Sequence, residues 1–209
     1  LLHIGHPDGL LLEHVTVSGV SFQLATKPQQ GQGLQGMVMV DRCRETTIER
    51  CLLHAQTLNQ MAGLVISRST DVQVMNCVID NVQYGIWTLA DTTGLVVVGN
   101  SFDAANKRQS DGGLVALLLQ DLSFPARIED NRILGFVFGI VLNNGLLTGA
   151  PFSLAAGSTI AGNYIVRLGV ALENATIKAF GIDVAADGCV ISDNILLYNS
   201  PEYGGISVS

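Results

Sequence analysis

The chain has 209 residues, of which 48% are hydrophobic and only 14% charged, with a net charge of −7 at pH 7. An average soluble domain carries roughly 25% charged residues, so this chain must bury most of itself. Its acidic balance and scattered Lys and Arg argue against a nucleic-acid backbone as partner, and no apolar run reaches the roughly 18 residues of a membrane span.

At the start, Leu1 to Gly9 lack the basic residues and small-residue cleavage site of a signal peptide. His3, His6 and Asp8 form an H-x-x-H-x-D. On a strand or turn that spacing does not set both imidazoles on one face, so it reads as solvated surface rather than a metal site. Helical periodicity is absent from there on, and short apolar strands recur between glycines and polar turns: VTVSGVSF, TIERCLL, VQVMNCVI, LVVVGNSF, RIEDNRI, TIAGNYI and VISDNIL. Aligned without gaps, they place an aliphatic residue first (Val17, Ile48, Val74, Val97, Ile128, Ile160, Ile191). Three positions later stands Val20, Cys51, Cys77, Asn100, Asn131, Asn163 or Asn194, at steps of 31, 26, 23, 31, 32 and 31 residues. Such steps mark a repeat architecture with loops of unequal length.

A second strand precedes each later motif, opened by Gly36, Gly63, Gly85, Gly139, Gly181 and Gly205, with Ala116 in one rung. Glycine suits a corner with positive φ or close backbone approach. Leucine-rich blocks are missing, and the one hairpin-like Asn144-Gly145 follows a strand rather than joining two.

The pattern Gly-Ile-x-Val, a spacer, then Ile-x-x-Asn-x-Ile resembles the repeat of the right-handed parallel β-helix, or pectin lyase-like, superfamily over nearly the whole chain. The resemblance implies an all-β fold, a right-handed parallel β-helix solenoid of about seven rungs, with an inward Asn/Cys ladder whose amides satisfy one another. Cys51 and Cys77 then read as small buried members of the ladder. One domain is expected over residues 1–209. The chain stops at the beginning of a further rung, so the expectation is a fragment of a longer protein, or one capped by another chain.

The resemblance also implies a carbohydrate-interacting protein, a polysaccharide lyase or hydrolase or an inactive relative, at an extracellular or cell-surface location. Sites in that superfamily lie on the outer face of the strand after the corner glycine. Alternation puts two columns there: Val38, Val65, Trp87, Leu118, Val141, Asp183, Ser207, and Val40, Ser67, Leu89, Gln120, Asn143, Ala185, Ser209. The first is apolar for five rungs, which suits saccharide chemistry poorly. Val38, Val65, Trp87, Leu118 and Val141 are therefore the expected interface of an alternative, a structural or adhesion module docking another chain or a second copy.

Galacturonan-hydrolase and pectate-lyase signatures are missing. The candidate catalytic residues are Asp91, Asp121 and Asp187, just past the strands, and Asp41, Asp91 and Asp121 are the candidate ligands for Ca2+, which needs several converging oxygens. Turn aspartates more often cap local backbone. Arg42, His54 and Arg68 lie where they could meet a saccharide, and insertions at 23–35, 103–113, 146–156 and 166–180 are long enough to carry binding function.

Overall fold

A computed structural model describes residues 2–5, 10–24, 36–89, 91–104, 115–120, 122–123, 125–143, 156–167, 180–198 and 204–208. Every strand pairing among them is parallel. The strands form a thirteen-stranded and an eight-stranded sheet. Successive turns of the coil stack in register, so that Val17, Ile48, Val74, Val97, Ile128, Ile160 and Ile191 form one continuous column. Its members from Ile48 to Ile160 are buried in a single apolar core, together with Leu53, Ile79, Phe102, Ile133 and Ile165 from the strand that follows. Among the described residues no helix is long and apolar enough to cross a membrane.

The bend between these two strands is held by side-chain amides. Asn100 Nδ2 donates to Asn131 Oδ1 at 3.1 Å, Asn131 to Asn163 at 3.0 Å and Asn163 to Asn194 at 2.9 Å. Each acceptor oxygen also takes a backbone N–H from the preceding rung, beginning with Cys77 N to Asn100 Oδ1 at 2.8 Å. Asn100, Asn131 and Asn163 are fully buried, so these bonds satisfy polar groups that water cannot reach. Cys77 and Cys51 extend the column as free, buried thiols, with Cys51 N donating to Cys77 Sγ at 3.5 Å.

Immediately before each of these residues the chain passes through the left-handed region. Gly19, Arg50, Asn76, Gly99, Asp130, Gly162 and Asp193 have φ between 52° and 69°. Six of the seven are Gly, Asn or Asp, the residues that tolerate this conformation at least cost. After Asn76 and Asp130, a glycine holds the position in the next rung. The side chains of Asn76 and Asp130 lie over Gly99 and Gly162, in the space a Cβ would need.

The corner glycines act differently. Gly63, Gly85 and Gly139 do not have positive φ; a Cβ on Gly63 would come within 2.6 Å of Ile79, and one on Gly85 within 2.6 Å of Phe102. Close packing, not backbone freedom, selects glycine there. Gly36 does not belong to this column, because it pairs with Ala62 rather than Gly63. The first rung strand is thereby shifted by one residue from the alignment drawn by sequence, and a one-residue shift exchanges inside for outside. Val38 pairs with Leu64 and Val40 with Ile66, both inward and buried, while Met39 and Asp41 take the two outer positions.

Candidate functional site

The outer face of the eight-stranded sheet is polar over its first three rungs. Strand alternation turns Thr16, Thr47 and Gln73 outward, one per rung, because Val17, Ile48 and Val74 beside them fill the core. Alongside run His14, Glu45 and Asp71, each with a positive φ of 52° to 56° and an exposed side chain. These six residues line an open groove of about 300 Å³. His14 Nδ1 lies 2.7 Å from Glu45 Oε2. The Asp71 carboxylate leans over Gly94, which has no Cβ to meet it. Arg44, on the same rung, is tied to Glu13 at 3.0 Å, and Arg50 to Glu49 at 2.5 Å. Glu49 titrates below the usual carboxylate range because Ser18 and Arg50 bond its charged form.

A second polar column lies on the other sheet. Gln23, His54, Asp80 and Asp103 pair on four successive rungs, and His54 Nδ1 stands 2.5 Å from Asp80 Oδ1. Asn81 steadies this edge by donating to the Ala55 carbonyl. An imidazole held through Nδ1 by a carboxylate presents Nε2 as its other reactive nitrogen, the arrangement of an oriented acid–base residue.

The profile of the right-handed beta helix region family matches residues 9–209. The chain belongs to the right-handed β-helix family. Comparisons with curated proteins and with solved structures gave no match.

Of the candidates that sequence position suggested, Asp41, Asp91 and Asp187 lie among the described residues of the right-handed β-helix. Asp41 is held by Arg68, with Nε to Oδ1 at 2.9 Å and Nη2 to Oδ2 at 2.6 Å, and Arg42 approaches to 3.8 Å. Asp91 is exposed at a turn with φ 47°, and Asp187 is exposed beyond the strand Phe180–Ala185. Asp121 lies outside the described residues, as do His6 and Asp8 and most of the long insertions. Among the described residues no three His, Cys, Asp or Glu side chains are grouped to hold a metal ion. The groove lining was readable from the same alternation that gave the core.

Along that strand Met39, Val65, Trp87, Leu118 and Val141 do form one outer column, continued by Asp183 and Ser207. The β-helix buries it within a single chain. Val65, Trp87, Leu118 and Val141 are at most 9% exposed and pack with Ala62 and Val115, with Met39, Tyr84, Leu89 and Phe138 against them. Trp87 Nε1 donates to Gln120 Oε1 at 3.1 Å, and the Gln120 backbone exchanges bonds with the Thr88 hydroxyl at 2.7 and 2.8 Å.

Proposed function

We propose that this right-handed β-helix is a carbohydrate-interacting protein that holds a glycan along the outer groove of its first three rungs. The observation that carries the reading is the lining: Thr16, Thr47 and Gln73 repeat once per rung beside His14, Glu45 and Asp71. A polymer of hydroxyl-bearing units can then meet a matching group about every 4.8 Å. Thr hydroxyls and the Gln carboxamide both donate and accept, as sugar hydroxyls do. Glu45 and Asp71 supply carboxyl groups of the kind glycoside hydrolysis employs, so hydrolase activity belongs to the same test. The superfamily resemblance supports an extracellular or cell-surface setting.

The alternative, a structural or adhesion module docking a partner through the apolar outer column, has less support. That column is already buried within one chain. Calorimetric titration with a panel of oligosaccharides checks the carbohydrate reading. Thr47→Val and Gln73→Ala should each weaken binding roughly three- to tenfold, the loss of one hydrogen bond, with circular dichroism unchanged. Absence of binding across the panel, or binding indifferent to both substitutions, would overturn it.

A further inference from the structure

Building on the groove as a carbohydrate site, we infer that its preferred glycan carries amines, an amino sugar, rather than carboxylates or hydroxyls alone. Two carboxylates, Glu45 and Asp71, stand on adjacent rungs of the lining, and the lining holds no Lys or Arg. The neighbouring guanidiniums are occupied: Arg44 by Glu13, Arg50 by Glu49, and Arg68 by Asp41. Arg42 approaches the same Asp41 carboxylate at 3.8 Å. Glu45 has His14 as its partner, whereas among the described residues no cation pairs with Asp71, whose carboxylate lies open beside Gly94.

The whole chain adds a charge of −7 to this local field. A glycan carboxylate entering the groove would meet the like charge of Asp71, while His14, the basic side chain of the lining, is already engaged by Glu45, which selects against acidic polymers. A sugar ammonium meets the opposite case: it donates charge-assisted hydrogen bonds to Asp71 and Glu45 while its hydroxyls engage Thr16, Thr47 and Gln73. One groove thus reads both the sugar and its charge.

The test titrates the full 209-residue chain with three probes of equal length, at a pH where sugar amines are charged: a glucosamine hexamer, its fully N-acetylated counterpart and a galacturonic acid hexamer. The glucosamine hexamer should bind at least about tenfold tighter than either of the others, the scale of one hydrogen bond to a charged group. Asp71→Asn and Glu45→Gln, both shape-preserving, should together erase that preference, bringing the glucosamine hexamer to the affinity of its N-acetylated counterpart measured on the same variant. Equal affinity for the amine and its acetylated form, or preference for galacturonate, would overturn the amino-sugar inference and leave the carbohydrate reading standing. A preference that survives both substitutions would overturn the inference as well, since its origin would lie elsewhere. If none of the three binds, the inference falls, and the carbohydrate reading falls with it when the wider oligosaccharide panel is silent too.

Discussion

The side chains at the inner bend are where single substitutions should tell most. In Asn131→Leu, the backbone N–H and Nδ2 of Asn100 lose their shared acceptor while remaining buried. Destabilisation of about 1–3 kcal/mol is expected from denaturant unfolding, and an unchanged midpoint would refute a structural role for the stacked amides. Cys77 makes a different prediction. Burial pushes its thiol up to about 11 from an ordinary value of 9.0. Between these values the unfolded chain releases the proton while the native chain keeps it, so stability holds below pH 9.0 and falls as pH rises toward about 11. Cys77→Ser should flatten that alkaline decline, and iodoacetamide should leave Cys77 unmodified in the native protein at neutral pH. Burial raises the Cys43 and Cys189 thiols in the same direction.

At the level of strands, alternation and recurrence made the solenoid legible: the aliphatic column and the Asn/Cys column stand in one register, and the structure pairs them as aligned. The first rung departed because Gly36 imitates a corner glycine while sitting one residue out of phase, which carried Val38 and Val40 to the wrong face. The turn column from Gly19 to Asp193 was equally visible as Gly, Asn and Asp, but only the backbone shows that these residues share a positive φ. Functional residues were harder to read. Asp41, Asp91 and Asp187 share a position just past a strand, and distance along a strand does not say which side chains converge. The outer apolar column was correctly phased at Trp87, yet its burial within one chain depends on packing across rungs that no single repeat displays. Trp87 is the sole tryptophan, which makes the check direct. Iodide should quench its fluorescence weakly, equally at low and high protein concentration. Trp87→Ala should cost about 3 kcal/mol by emptying a packed site and leaving Gln120 Oε1 without its donor. Strong quenching that weakens with concentration would instead mark a partner-covered face.

Over the whole molecule, each rung pairs only with its immediate neighbours, so stability is approximately a sum of rung and interface contributions along the continuous core. The effect of Asn131→Leu should therefore stay near its own rung. The stacking has a historical side as well. Steps as short as 23 and as long as 32 residues deliver the same columns to the same places. A rung can thus be duplicated or lost as a unit, and its loop lengthened, without rewriting any neighbour. Length in such a chain is a count of copies, and new surface is acquired by variation on the outside of a unit whose inside is already solved. The polar groove occupies three rungs of a column that turns to Val96, Arg127, Thr159 and Val190 further along, so the outer chemistry changes from rung to rung while the aliphatic column beside it does not.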